Sequence, residues 1–156
     1  MAVPSDKIQL IRHQFAPILG QRLEQYETAE LLCEGAWHPY DDLPLRLYFS
    51  SSPMVSICWS KFDALSFADQ PFGLQAVSDV RWVKNGRSDL DQVLGLSLSG
   101  VALGRGEMSV EGRDIEIWTR LALDLGPKWL EVFNALDENG YAVHDRLPEG
   151  EFYRCV

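Results

Sequence analysis

The sequence predicts an α+β protein, mainly antiparallel β. An N-terminal helix is expected to lie on a twisted sheet, or on two small sheets, built from two related three-stranded β-meanders. Three observations carry this. One short stretch near the start has helical spacing, and strict apolar–polar alternation follows in several later segments. The apolar pattern of residues 18–63 then returns over residues 93–138. Ile18-Leu19-Gly20, with Leu23 and Tyr26, recurs as Val93-Leu94-Gly95, with Leu98 and Val101, at an offset of 75 positions. Leu45-Arg46-Leu47-Tyr48-Phe49 recurs as Leu121-Ala122-Leu123-Asp124-Leu125 with one residue of slippage, and Val55-Ser56-Ile57-Cys58 as Leu130-Glu131-Val132-Phe133. A chain of 156 residues with this layout reads as one domain carrying an internal pseudo-repeat.

The helix is expected from Ser5, an N-cap residue type, with Asp6 favouring the positive end of the dipole. Ile8, Ile11 and Phe15 share one face, and Pro17 and Gly20 end the helix near Phe15. A weak strand at 29–33 precedes a clear hairpin. Leu43, Leu45, Leu47 and Phe49 line one face and Pro44, Arg46 and Tyr48 the other, and Val55, Ile57 and Trp59 share a face of the return strand. Ser50-Ser51-Ser52-Pro53 is a polar turn between them. Residues 64–79, interrupted by Pro71 and Gly73, read as a connector with room for one helical turn, and 80–83 as a short strand closed by Asn85-Gly86.

In the second copy Leu94, Leu96 and Leu98 alternate with small residues, and Gly100, Gly104 and Gly106 suggest bulges or bends. Ile115, Ile117, Thr119, Leu121, Leu123 and Leu125 are expected on one face of the longest strand, with Glu116, Trp118, Arg120, Ala122 and Asp124 on the other. Residues 129–136 suit a helix stripe or a strand; the match to 55–59 selects a strand, with Gly126-Pro127-Lys128 as its turn. Residues 151–156 add a short final strand.

With 46% hydrophobic residues the chain is globular, and its apolar runs fall short of a membrane-spanning helix. The start has no charged region followed by an apolar one, so a cytoplasmic location is expected. Cys33, Cys58 and Cys155 are an odd, unpaired set, read as small apolar fillers under reducing conditions. A net charge of −9 argues against nucleic-acid or anionic-membrane binding, both of which need basic patches. The acid is uneven: Glu24, Glu27, Glu30, Glu34, Asp41 and Asp42 share a stretch without Lys or Arg, and Asp137, Glu138, Asp145, Glu149 and Glu151 form a second. Such stretches either keep a small protein soluble or speed capture of a basic partner.

Signs of chemistry are few. Gly104-Arg105-Gly106-Glu107 is too short for a nucleotide loop and reads as a turn or bulge. His13, His38 and His144 stand apart, without metal-ligand spacing, so no cofactor or metal is expected. Asp137-Glu138-Asn139-Gly140 lacks the alternate carboxylates of a calcium loop and reads as a turn. Trp118, flanked by Glu116 and Arg120 on an outer face, has the look of an interface anchor, unless a helix or loop covers it and makes it core. Asp124 shares that face. Arg46 and Tyr48 occupy the comparable face of the first copy, and Trp37 with Asp41 and Asp42 offers aromatic and acidic anchors near His38. These nine residues are the candidate partner-binding set.

A small acidic chain with aromatics on a β-surface resembles the immunity proteins of bacterial polymorphic-toxin systems in size, charge and style. The resemblance implies a cytosolic inhibitor that binds and neutralises a cognate, basic toxin, with no catalysis of its own. Two other readings stay open: a small enzyme or ligand-binding protein with a pocket between the repeats, and an acidic secretion chaperone, whose long C-terminal helix is not evident. Exposed edge strands would also allow a homodimer.

Overall fold

The structure, a computed structural model, describes residues 3–61, 63–68 and 79–156, with backbone alone at 108, 110 and 114–116. Among these residues it is one short α-helix and two antiparallel sheets, the fold class expected from the alternation. The helix, α1 (Ser5–Phe15), buries Ile8, Ile11 and Phe15, the i, i+3, i+7 stripe that faces a core. Pro4 occupies the N-cap position and Ser5 makes no capping bond, so the expected Ser5 cap is replaced by a residue that pre-sets φ. A 3₁₀ turn at Ala16–Ile18 absorbs Pro17.

The strands are β1 (Leu23–Cys33), β2 (Ala36–Pro39), β3 (Leu45–Phe49), β4 (Val55–Ser60), β5 (Ala64–Ser66), β6 (Val80–Lys84), β7 (Gly100–Val110), β8 (Arg113–Asp124), β9 (Trp129–Asn134), β10 (Asn139–His144) and β11 (Phe152–Arg154). In the first sheet β3 pairs with β1 and β4, and β5 with β4. On the far edge of β1, Glu27 and Glu30 face Lys84 and Arg81 of β6, while their near sides face Arg46 of β3 and Pro39 of β2. Thus β2 and β3 lie end to end along one edge of β1. The second sheet runs β10-β9-β8-β7-β11.

Strand for strand the two sheets share one register. Leu47 stands opposite Tyr26 and Val55 in the first, and Leu123 opposite Val101 and Leu130 in the second. Trp82 of β6 faces Ala29, and Phe152 of β11 faces Gly104. The hairpin β1–β2 turns at Glu34-Gly35, and β7–β8 at Glu111-Gly112, all four residues with positive φ as a two-residue turn between twisted strands requires. The sheets meet in a paired crossing: Gly20 N donates to Leu98 O and Gly95 N to Leu23 O, each at 2.7 Å, around the Arg22–Ser97 bridge. Gly20 and Gly95 have φ of +86° and +85°, which only glycine adopts without strain.

Three local readings change. His38 lies in β2, not in a turn, and 64–66 form strand β5 where a connector was expected; the rest of that connector, 69–78, lies outside the described residues. Leu94 and Leu96 belong to no strand, although Leu98 is fully buried. The face of β8 also switches. The register passes from Gly104–Arg120 to Arg105–Trp118, leaving Thr119 unpaired in a β-bulge. The bulge returns Trp118 to the side of Leu121 and Leu123, so Trp118 joins the core at 3% exposure.

The inner faces of both sheets share one core: Leu45, Leu47, Ile57 and Trp59 meet Leu103, Leu121, Leu123 and Val132, and α1 closes it. Lys7 Nζ donates to Trp118 O at 2.8 Å and Arg12 Nε to Cys155 O at 2.7 Å, tying the helix to the second sheet.

Candidate functional site

Alternation around a shared core sends the candidate residues to three places. Arg46 and Tyr48 alternate with buried Leu45, Leu47 and Phe49, so they lie on the outer face of the first sheet. Tyr48 Oη donates to Glu27 Oε1, Arg46 Nη1 lies 3.7 Å from the same oxygen, and the Arg46 guanidinium stacks 3.4 Å from the Trp82 ring centre. Trp37, in the exposed strand β2, is covered by Arg81 at 4.3 Å, and Arg81 is itself held by Glu30 at 2.7 Å.

Arg120 and Asp124 lie on the outer face of the second sheet, on the opposite side of the molecule from Arg46 and Tyr48. Glu131 is 4% exposed and both its oxygens are used: Oε2 accepts from Arg120 Nε at 2.6 Å and Oε1 meets His144 Nε2 at 2.9 Å. Its charge is tolerated because it is paired and bonded on both sides. Asp124 takes Arg154 at 3.3 Å and the Gly126 N–H at 3.0 Å. Close approach, more than bending, explains the glycines here. A Cβ on Gly104 would lie 2.4 Å from the Phe152 ring, and one on Gly140 2.4 Å from Phe133, so both rings lie flat on the sheet. Trp118 is corrected from surface anchor to core, and the Glu116 side chain lies outside the described residues.

The third place is the gap between β2 and β3, residues 40–44, where the first sheet is broken and the second carries its bulge. Asn139 N donates to Asp41 O at 2.9 Å, which brings the β9–β10 turn against this gap. Asp41 Oδ1 takes Arg87 Nη2 at 2.7 Å, and Arg87 lies 5.0 Å from the Tyr141 ring centre. Asp42 and Glu138 are both exposed. Desolvation raises the Glu138 carboxyl above its ordinary value, and the charges of Asp42 and Asp41 and a hydrogen bond to Asp42 add to the rise. Beneath them Cys58 is buried and its thiol is pushed up to about 12 by burial and by Asp42, which removes thiolate character.

Sequence reasoning found Asp41 and Asp42 and placed Glu138 in the second acidic stretch and in a turn, without bringing it to the first stretch, and it missed Glu131 and His144 as a pair. A signal for the latter was present: a strand expected over 129–136 and closed by a turn at 137–140 calls for a return strand, and the one observed brings His144 opposite Trp129, diagonal to Glu131. The space between the sheets is filled by the core, and the two cavities described next to Arg120 border the outer face of the second sheet. Among the described residues no group of three or more His, Cys, Asp or Glu is placed to hold a metal ion. No helix among the described residues is long and apolar enough to cross a membrane. No family model, curated protein or solved structure matches the chain.

Proposed function

We propose that this chain is a stoichiometric binding module that docks and neutralises a basic protein, in the manner of an immunity protein set against a toxin. One observation supports the reading above others. The two acidic stretches, nearly a hundred positions apart, converge where Asp41 and Asp42 meet Glu138. Crowding like charges on an exposed edge raises free energy in the isolated protein, and an Arg or Lys side chain of a partner relieves it. The net charge of −9 acts at longer range and speeds encounter with a cationic surface.

The test uses tagged full-length protein to capture a partner from its native host at low ionic strength, followed by titration calorimetry with that partner. The expected result is a one-to-one complex with a basic protein, weakened by salt. The double variant Asp42→Asn, Glu138→Gln should weaken it about tenfold or more, the scale of one lost charge pair. Unchanged affinity in that variant, with its melting temperature no lower than the parent's, would remove the acidic edge from the interface and end this reading.

A further inference from the structure

A second site lies away from the acidic edge. On the outer face of the second sheet a cavity of about 520 Å³ is lined by Arg120, His144, Asp145, Arg146 and Glu149 among others. Its position matters, because a protein of net charge −9 has few places where cationic groups gather.

The Arg120 guanidinium is fixed from four sides. Nε is bound to Glu131 at 2.6 Å, Nη1 donates to Glu149 O at 2.8 Å, and the Phe152 ring centre lies 4.7 Å from Cζ. Gly150 supplies the fourth: it has φ of +118°, and a Cβ there would lie 2.6 Å from Nη1. The loop backbone can pass this close only as glycine. Nη2 is left without a hydrogen-bond acceptor among the described residues. His144 spends Nε2 on Glu131 and keeps its other ring nitrogen unpartnered among them. Arg146 makes no ion pair within 4 Å among the described residues and lines the same cavity. The acids nearby are largely spent: both Glu131 oxygens are occupied, and Lys128 Nζ donates to Asp145. Glu149 remains as an opposing charge at the rim.

A guanidinium immobilised before binding loses little entropy when it takes an oxyanion, and its planar N–H pairs match carboxylate and phosphate geometry. We propose that this cavity binds the oxyanion group of a small solute, a carboxylate or a phosphate, between Arg120 and Arg146, with His144 as a further donor in its imidazolium form, since Nε2 is already given to Glu131. The cavity is polar and half-open, so its occupant is a small charged solute and not an apolar one.

The test is a titration of full-length protein with inorganic phosphate and, separately, with acetate, at constant ionic strength set by sodium chloride. Side-chain Arg and His resonances are followed by NMR. Saturable shifts of the Arg120 Nε and His144 signals with at least one of the two anions support the site, and the stronger anion names the class. Arg146→Ala should weaken that binding about tenfold without a measurable drop in melting temperature, since among the described residues Arg146 makes no hydrogen bond or close ion pair and only a minor electrostatic contact with the fully exposed Asp145. Two outcomes overturn the proposal: shifts no larger than chloride alone produces, or saturable shifts that Arg146→Ala and His144→Gln both leave unchanged. Binding of the basic partner at the acidic edge is expected to be the same in Arg146→Ala, so the two readings fail separately.

Discussion

The indole of Trp118 shows how one unpaired backbone residue decides the role of its neighbour. Strict alternation along β8 would have placed it outside with Arg120, but the bulge at Thr119 turns it inward, where its Nε1 finds no hydrogen-bond partner among the described residues. Trp118→Ala should therefore cost about 3–5 kcal/mol in urea unfolding, the range for emptying a large aromatic site in a core. Trp118→Phe should cost much less, because it also removes the unsatisfied N–H. An alanine variant as stable as the parent would mean that the ring lies outside. At Glu138 the electrostatics run the other way. Its folded-state pKa is raised above the unfolded value, first by desolvation and then by Asp42 and Asp41. The folded chain thus binds that proton more tightly than the unfolded chain does. The stabilisation is fully present below the unfolded carboxylate range and is lost as pH rises through the folded pKa. At neutral pH, then, the ionised group opposes folding. Glu138→Gln should raise the melting temperature near pH 7, by a small amount because the group is exposed, and the gain should vanish near pH 4. An equal gain at both pH values would show that charge is not the cause.

At the scale of strands, Asn139 is the joint between the sheets. At the start of β10 and 1% exposed, it accepts from Trp59 N at 2.8 Å and donates to Ile57 O at 2.9 Å, so one side chain from the second sheet completes the backbone of β4 in the first. Trp59 Nε1 returns the contact to Val132 O at 2.8 Å. Asn139→Ala strands a buried N–H and a buried carbonyl. It should cost about 2–6 kcal/mol, at roughly 1–3 kcal/mol for each unsatisfied group, measurable by chemical denaturation; a loss under about 0.5 kcal/mol would mean that water replaces both bonds. Sequence showed much of this level and hid the rest for identifiable reasons. Leu45, Leu47 and Phe49 read as an inner face because nothing interrupts their alternation, and 129–136 read as a strand, which the structure ends at Asn134, because its counterpart 55–59 did. The bulge at Thr119 leaves no mark in composition, since Thr suits either face. The break at 40–44 hid the continuity of β2 with β3, and with it the match between β2–β3 and the unbroken β8. Asn139 looked like a turn residue because its partners are some eighty positions away. The candidate site was legible only in parts: residue types suggested Asp41, Asp42, Glu138 and Arg120, while the meeting of Glu138 with Asp42 and the pairing of Glu131 with His144 needed the strand pairing that gathers them.

At the scale of the molecule, neither sheet covers itself. The inner face of each is buried by the other, and the crossing of residues 20–23 with 95–98 links the two through reciprocal backbone bonds. The helix deepens this dependence: it belongs to the first half of the chain, yet Lys7 and Arg12 bond to Trp118 and Cys155 of the second. Burial lowers the Lys7 pKa, with Asp63 only partly opposing the shift, so the lysine is held in this joint at an electrostatic cost that the packing around it must exceed. Each half left alone would expose a full apolar sheet face to water, far more than an isolated monomeric fold tolerates. Cleavage of the backbone at the exposed Ser88-Asp89 site, or separate production of residues 1–88 and 89–156, tests this. Neither fragment alone should show a cooperative melt by circular dichroism. An equimolar mixture should recover one, as a one-to-one complex whose melting depends on protein concentration. Because the contact between the halves is the apolar core, added salt should leave that association nearly unchanged, in contrast to capture of a basic partner at the acidic edge. A cooperative, monomeric melt from residues 1–88 alone would show that the first sheet and helix close a core by themselves, and that the second sheet is an addition to it and not its other half.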